Sequence, residues 1–195
     1  MSERGTLKSA RLFIALPLSK EIRRGCAMLQ ERGRNLIASV RWSDPEKLHL
    51  TLLFLGQIEW SVQLQIKEII QGVANSFPPF SVDISGLGAF PKRRSPRVIW
   101  IGISEAPLLM TIQQKFVTSI ASLGIPIETR PYRPHLTLGR IKKEGGATGP
   151  LTDWLMQEEG VALGRCEVKE IMLMESQLRP EGPLHKCLLA APLRG

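Results

Sequence analysis

The sequence predicts an α+β fold with antiparallel sheets, arranged as two similar halves that face one cleft. Three observations lead to this prediction. Short runs of large apolar residues alternate with segments of helical periodicity, and two of the predicted strands form a hairpin. The tetrapeptide HLTL also occurs twice, at residues 49–52 and at residues 135–138. No low-complexity linker divides the 195 residues, so we expect a single two-lobed domain over residues 1–195.

The strands are predicted from short apolar runs that are bounded by Gly, Pro or charged residues. The runs RLFIALPL and LHLTLLFL are both rich in large apolar side chains. Strands are predicted at residues 11–18, 48–55, 80–90, 97–103, 135–141, 165–175 and 184–191. The segment PKRRSP connects the third and fourth of these strands as a hairpin with a basic tip.

The helices are predicted where apolar side chains recur near the helical period. Helices are predicted at residues 19–39, 59–77, 107–123 and 151–159. Ser19 is a suitable N-cap for the first helix, and the Pro78-Pro79 pair ends the second. Helices and hairpin-forming strands therefore mix along the chain.

Composition and motif content exclude several classes of protein. A hydrophobic content of 43% is ordinary for a globular domain and excludes a chain that is disordered along its length. The longest apolar runs fall far short of the ~20 residues of a membrane helix, so we expect no membrane association. The segment Ser19-Lys20-Glu21 follows the first run where a signal peptide needs small residues, so we expect a cytoplasmic protein. Cys26, Cys166 and Cys187 lie far apart and form no CxxC, so we expect neither a metal nor a cofactor.

The net charge of +8 is the first indication of a partner. The basic excess lies in residues 1–150, whereas residues 151–195 are slightly acidic. A basic field raises the local concentration of anions, among which phosphates are common. Charge alone does not distinguish a nucleic-acid-binding protein from an ordinary basic one.

The two HLTL copies place the same pair of polar side chains on one face of a strand. Because side chains alternate between the two faces, His49 and Thr51 share one face, as do His135 and Thr137. The leucines of each copy then point to the opposite face and into the core. Two of the three histidines of the chain occupy the same place in the repeat, which indicates two similar halves facing one cleft.

A pair of imidazoles suits the cleavage of a phosphodiester. Imidazole titrates near pH 6.5, so one ring can take a proton from water while the other gives one to the leaving oxygen. The hydroxyls of Thr51 and Thr137 can hydrogen-bond the non-bridging phosphate oxygens and stabilise the charge of the transition state. This chemistry requires no metal ion.

With these motifs the chain resembles the two-histidine phosphoesterases, whose signature is a pair of HxTx motifs, and among them the RNA 2′,3′-cyclic phosphodiesterases (LigT-like). The resemblance covers essentially the whole chain. The matching segments are RLFIA at 11–15, RW at 41–42, KLHLTL at 47–52, FLG at 54–56, GAFP at 88–91, PRVIW at 96–100 and RPHLTLGR at 133–140. His185 departs from the family, whose members commonly carry Tyr there, and we expect it to have a structural role at the rim of the cleft.

The resemblance implies a fold of two similar lobes, each an antiparallel sheet with flanking helices, around a central groove that holds both motifs. It also implies hydrolysis of terminal 2′,3′-cyclic phosphates on RNA to 2′-phosphomonoesters, with the reverse 2′–5′ ligation of tRNA half-molecules as a related activity. Carried over by motif, His49 is the proton donor and His135 the proton acceptor, while Thr51 and Thr137 hold the phosphate. The residue types alone leave open which imidazole is acid and which is base.

Side chains around the motifs are candidates for binding the rest of the substrate. Arg130, Arg133 and Arg140 surround the second motif, where a guanidinium can bind phosphate oxygens or be a solvated surface charge. Trp42 and Phe54 are candidates for stacking a base. Strict alternation, however, puts Phe54 on the leucine face and favours core packing for it.

Three functions remain after these observations. The first is a monomeric, metal-independent RNA cyclic phosphodiesterase without a cofactor, whose partner is an RNA end. The second is a related enzyme that acts on a small nucleotide, such as ADP-ribose cyclic phosphate or 2′–5′ oligoadenylate, and needs less basic surface. The third is a non-catalytic RNA-binding module, against which the intact His and Thr of both motifs argue.

Overall fold

The computed structural model of the chain describes residues 9–36, 40–93, 95–104, 106–141, 149–178 and 183–195. Within these ranges the strands are β1 (Ser9–Leu16), β2 (Val40–Trp42), β3 (Leu50–Glu59), β4 (Phe80–Lys92), β5 (Ser95–Ile103), β6 (His135–Ile141), β7 (Ala162–Val168), β8 (Glu170–Gln177) and β9 (Leu184–Pro192). The helices are α1 (Lys20–Leu36), α2 (Trp60–Asn75), α3 (Pro107–Ala121) and α4 (Gly149–Gln157), with a 3₁₀ turn at Pro45–Lys47. None of these helices is long and apolar enough to cross a membrane.

The strands form two sheets in which every neighbouring pair is antiparallel. The first sheet has the order β3-β1-β8-β9, and the second has the order β2-β6-β5-β4-β7. The two HLTL motifs lie at the starts of β3 and β6, one in each sheet. The predicted α+β class with antiparallel sheets and four flanking helices is confirmed.

Helices α1 and α3 connect the two sheets, because each packs on the sheet to which its preceding strand does not belong. Helices α2 and α3 pack on the first sheet, whereas α1 and α4 pack on the second. Since α1 follows β1 of the first sheet and α3 follows β5 of the second, each of these helices crosses to the other sheet. The buried residues of both sheets and all four helices form one hydrophobic core.

A buried glutamine fixes α1 to the back of the second motif strand. Gln30 is 1% exposed, and its Nε2 donates hydrogen bonds of 2.8 Å to the carbonyl oxygens of Ser43 and Leu138. The Leu138 carbonyl also accepts from the Ser43 amide at 2.8 Å. This network holds the middle of β6, at the last residue of its motif, against the helix.

One predicted strand is wrong, because residues 165–175 are two strands in different sheets. Strand β7 pairs with β4 of the second sheet, whereas β8 pairs with β1 and β9 of the first. The break at Lys169 is visible in the burial pattern, since Val168 and Ile171 are both buried but lie three residues apart instead of two. The chain changes sheets there because the buried face changes phase.

The remaining predictions agree with the structure to within a few residues at the ends of each element. The short strand β2 was not predicted, because three residues carry too little periodicity to be recognised. Residues 37–39 of the first predicted helix lie outside the described residues.

We predict that Gln30→Leu lowers the free energy of unfolding by about 1–3 kcal/mol, because the Ser43 carbonyl loses a donor and the buried Leu138 carbonyl keeps only the Ser43 amide. Urea denaturation followed by circular dichroism measures this loss. The same change at the exposed Gln71 is the matched control and should alter stability little. Equal stability of the two variants would contradict the role given to Gln30.

Candidate active site

The two motifs adopt the same local structure in the two sheets. The second and fourth residues of each copy, Leu50, Leu52, Leu136 and Leu138, are at most 2% exposed and anchor the segment in the core. The His and Thr of each copy are half-buried on the other side. The predicted division of the motif between two faces is therefore observed in both lobes.

A β-bulge follows the threonine in both motifs. In β3 the register with β1 shifts at Leu52, since Thr51 pairs with Ala15 but Leu53 pairs with Ile14. In β6 the register with β5 shifts at Leu138, which lies between the paired residues Thr137 and Gly139. Each bulge reverses the alternation for the residues that come after it.

The bulges bring one additional side chain of each strand to the site. Phe54 and Arg140, each five residues after the motif histidine, are both exposed. The Phe54 ring lies 6.1 Å from Phe13, whose ring contacts His49. Core packing, which alternation predicted for Phe54, is therefore wrong: it is 57% exposed and lies on the same face as Thr51.

Each motif histidine is anchored to the backbone in the same way. His49 Nδ1 lies 2.9 Å from the carbonyl oxygen of Lys47, and His135 Nδ1 lies 2.7 Å from that of Arg133. A carbonyl oxygen only accepts, so Nδ1 carries the proton in both rings. Nε2 is then the nitrogen left to exchange protons with a ligand, in either ring.

A triangle of aromatic rings surrounds each of the two imidazoles. His49 contacts Phe13 at 4.9 Å and His185 at 5.0 Å, and those two rings lie 5.1 Å apart. His135 contacts Phe90 at 5.1 Å and Trp100 at 6.3 Å. In the first triangle, one neighbour of His49 is the titratable ring of His185. In the second triangle, both neighbours of His135 are aromatic rings that do not titrate.

Burial lowers the pKa of both motif histidines. For His49 the hydrogen bond to the Lys47 carbonyl partly offsets this effect. For His135 the hydrogen bond to the Arg133 carbonyl offsets it, but the positive charge of Arg140 lowers the pKa further. Both rings are therefore mostly neutral at pH 7, with Nε2 able to accept a proton.

The third histidine, His185, lies beside His49 rather than away from it. Burial and the positive charges of His49 and Lys47 lower the pKa of His185 to about 4. Its Nδ1 is buried and has no hydrogen-bond partner among the described residues. His185 is thus a neutral neighbour of the first motif, in direct ring contact with it.

A hydrogen bond joins the two motif segments. Tyr132, three residues before His135, donates from its hydroxyl to the carbonyl oxygen of Thr51 at 2.9 Å. Strands β3 and β6 also pack against each other. Burial raises the pKa of the Tyr132 hydroxyl, so it remains a donor throughout the physiological range. The two motifs therefore meet at one place between the sheets.

The other predicted binding residues lie in different surroundings. Arg130 is an exposed residue that forms an ion pair with Glu128. Arg133 is exposed beside the second motif, and its carbonyl anchors His135. Trp42 is half-buried and packs edge-on against Trp154 at 5.7 Å, as a core residue does. Sequence reasoning missed Tyr132 as the link between the lobes and His185 as a neighbour of His49.

No group of three or more His, Cys, Asp or Glu side chains is close enough to hold a metal ion in the described part of the chain. The polar groups that converge on the site are the two imidazoles, the two threonine hydroxyls and the guanidinium of Arg140. Together they can move protons and bind an anion.

Comparison with known proteins gives concordant matches. The model of a family described as LigT-like phosphoesterase matches residues 16–100, which include the first HLTL motif. The RNA 2′,3′-cyclic phosphodiesterase of Archaeoglobus fulgidus is 32% identical over 178 residues, which cover 91% of this chain and 97% of that protein. The protein of the same name from Aquifex aeolicus is 32% identical over 181 residues, which cover 92% and 95%.

Solved structures show the same fold. A Thermus thermophilus protein superposes with a TM-score of 0.83 at 28% identity, covering 95% of this chain and 98% of that chain. E. coli LigT, solved with 3′-AMP, superposes with a TM-score of 0.76 at 24% identity, covering 96% and 100%. The second likeness concerns the fold alone.

We predict that His49 and His135 are Nδ1–H tautomers and titrate below the ordinary value of about 6.5. His185 should titrate lowest, with a pKa of about 4. Long-range ¹H–¹⁵N spectra recorded against pH measure both properties, and the chain has only three histidines to resolve. The spectrum of His185→Phe identifies the third signal. An Nε2–H tautomer at either motif histidine would contradict the anchoring described above.

Proposed function

The chain belongs to the LigT-like phosphoesterase family, and we propose that it hydrolyses 2′,3′-cyclic phosphate ends of RNA to 2′-phosphomonoesters. The observation that carries the proposal is the pair of backbone-anchored imidazoles on two motif segments that the hydrogen bond from Tyr132 to the Thr51 carbonyl joins. The names of the relatives support the choice of substrate, since those proteins are RNA 2′,3′-cyclic phosphodiesterases.

The reaction needs one proton acceptor and one proton donor. Nε2 of His135 takes a proton from water as the water oxygen bonds to phosphorus. His49 acts in its protonated form, the minor form at pH 7, and gives its Nε2 proton to the 3′ oxygen as the P–O3′ bond breaks. The products are a 2′-phosphomonoester and a free 3′ hydroxyl. General acid and general base help of this kind contributes about 10²–10⁴-fold for each positioned group.

The surroundings of the two rings support this assignment of roles. The positive charge of Arg140 disfavours a protonated His135, as suits a base. The ring centroids of His49 and Phe13 lie 4.9 Å apart with the two planes at 30°, close enough for the aromatic quadrupole of Phe13 to stabilise an imidazolium. His49 is thus the better site for the positive charge that an acid carries before it donates its proton.

The threonine hydroxyls are the proposed phosphate-binding groups. Thr51 and Thr137 lie on the same face as the histidines, and no hydrogen bond to either hydroxyl forms within the described residues. Arg140 is added to this set because the bulge turns it toward the site. We assign the exposed Arg133 and Arg130 to the rim, where they attract the RNA backbone without fixing its position.

Metal independence follows from the same arrangement. Two imidazoles perform both proton transfers, and the hydroxyls with Arg140 stabilise the phosphate charge, so the mechanism gives a metal no role. The reverse reaction, 2′–5′ ligation, uses the same groups with acid and base exchanged. Hydrolysis of RNA that ends in a 2′,3′-cyclic phosphate, in the presence of EDTA, tests the hydrolytic activity and its independence of metal ions.

The product of that assay distinguishes the alternatives. A 2′-phosphate on RNA supports the proposal, whereas cleavage of only ADP-ribose cyclic phosphate or 2′–5′ oligoadenylate shows a small-nucleotide enzyme. RNA binding that leaves the cyclic end intact shows a binding module. Loss of activity in EDTA would contradict the metal-free mechanism.

We predict that His49→Asn and His135→Asn each lower kcat by about 10²–10⁴-fold. Asparagine retains a donor in the position of Nδ1, so the hydrogen bond to the backbone and the local fold are kept, but Nε2 is lost. Steady-state kinetics with an RNA cyclic phosphate measures the effect, and circular dichroism confirms the fold. Near-normal turnover in either variant would refute the acid–base mechanism.

We predict that Phe54→Ala lowers kcat/KM for RNA ends by roughly 5- to 150-fold, because a stacked base contributes about 1–3 kcal/mol. The exposed ring of Phe54, next to the Phe13 ring that contacts His49, is the surface on which the base stacks. Trp60→Ala is the matched control, since Trp60 is similarly exposed but belongs to α2. An equal response of the two variants would show that Phe54 does not bind the base.

A further inference from the structure

A row of polar side chains crosses the first sheet next to the site. Gln57 of β3 pairs with Arg11 of β1, and Ser176 of β8 pairs with His185 of β9. Leu12 pairs with Glu175, so the register places Arg11 beside Ser176. Gln57, Arg11, Ser176 and His185 therefore form one row, with one residue from each strand of the sheet. We call these four residues the polar row.

The polar row borders the aromatic surface that supports the first motif. Phe54 pairs with Phe13, and Phe13 pairs with Met174, so these three form the adjacent row on the same face. Arg11 and Phe13 are two residues apart in β1, which is about 7 Å along the strand. His185 belongs to the polar row and also touches His49. A ligand bound at His49 can thus reach the polar row directly.

An open depression of about 370 Å³ lies at the polar row. Arg11, Gln57 and Ser176 line it, together with Ser9, whose hydroxyl accepts a hydrogen bond of 3.3 Å from Gln57 Nε2. Glu175 lines it as well, and its Oε1 accepts from Gln177 Nε2 at 3.2 Å. The depression is polar, and it contains one cation and one anion.

Arg11 is the arginine that lines this depression, and like the exposed Arg24, Arg97, Arg133, Arg140 and Arg194 it has no ion pair in the described part of the chain. Arg93, Arg130 and Arg165 are each ion-paired, with Glu159, Glu128 and Asp83 respectively. A guanidinium without a protein partner, in a polar depression, is suited to bind a phosphate oxygen pair.

We propose that the polar row binds the phosphodiester immediately upstream of the terminal nucleotide, with Arg11 as the main contact. The inference rests on the proposed function and adds a substrate class to it. With the cyclic phosphate at the motifs and the terminal base on Phe54, the RNA chain continues past the buried Phe13, along the line of β1, to Arg11. The enzyme therefore prefers oligonucleotide ends to mononucleoside 2′,3′-cyclic phosphates, which have no upstream phosphodiester.

The test compares kcat/KM for adenosine 2′,3′-cyclic phosphate with that for the dinucleotide ApA ending in a 2′,3′-cyclic phosphate. The wild-type protein should prefer the dinucleotide by about tenfold or more. Arg11→Gln should remove that preference and leave kcat/KM for the mononucleotide within about twofold of the wild-type value. Arg24→Gln on α1 makes the same charge change far from the row. It should leave kcat/KM for both substrates unchanged.

Two results would overturn the proposal. One is a wild-type protein with no preference for the dinucleotide. The other is an Arg11→Gln variant in which kcat/KM falls equally for both substrates. Dissociation constants for ApA with a terminal 2′-phosphate and for adenosine 2′-phosphate repeat the comparison without catalysis. A protein that cleaves neither substrate refutes the proposed function, while these constants still decide whether Arg11 binds the upstream phosphodiester.

Discussion

The hydrogen bond from each motif imidazole to the carbonyl two residues before it is the interaction on which the site depends. It fixes the proton on Nδ1 and leaves Nε2 of His49 and of His135 for the substrate. The anchoring carbonyls are held in turn by the buried leucines of each HLTL copy, which tie the segment to the core. Because the two copies share this geometry, the anchoring gives both imidazoles the same tautomer and the same free nitrogen. Their different roles must come from what surrounds them.

The surroundings break the symmetry in two places. The same bulge in both strands delivers Phe54 beside the first histidine and Arg140 near the second. One half thereby receives a surface for a base and the other a positive charge that disfavours a protonated His135. The aromatic triangles differ as well, since His185 stands where the second half has an apolar ring. A duplicated scaffold thus presents one acid side and one base side to a single phosphate.

Local patterns in the sequence predicted the fold class, most elements and the faces of the motif residues, because alternation and helical periodicity are short-range properties. They did not predict which face Phe54 lies on, because a bulge at Leu52 reverses the alternation. No glycine or proline in the sequence marks that bulge. They also joined β7 and β8, which belong to different sheets. The contact between His185 and His49 depends on strands far apart in the chain, so no local pattern could reveal it.

The most direct test of the two-histidine mechanism changes the leaving atom. In a 2′,3′-cyclic substrate with sulfur in place of the bridging 3′ oxygen, the thiolate leaves without a proton, because a thiol is far more acidic than an alcohol. Turnover of the His49→Asn variant relative to wild type should then recover by at least about tenfold, whereas His135→Asn should stay as impaired as on the oxygen substrate. Equal impairment of both variants on both substrates would contradict the assignment of His49 as the acid.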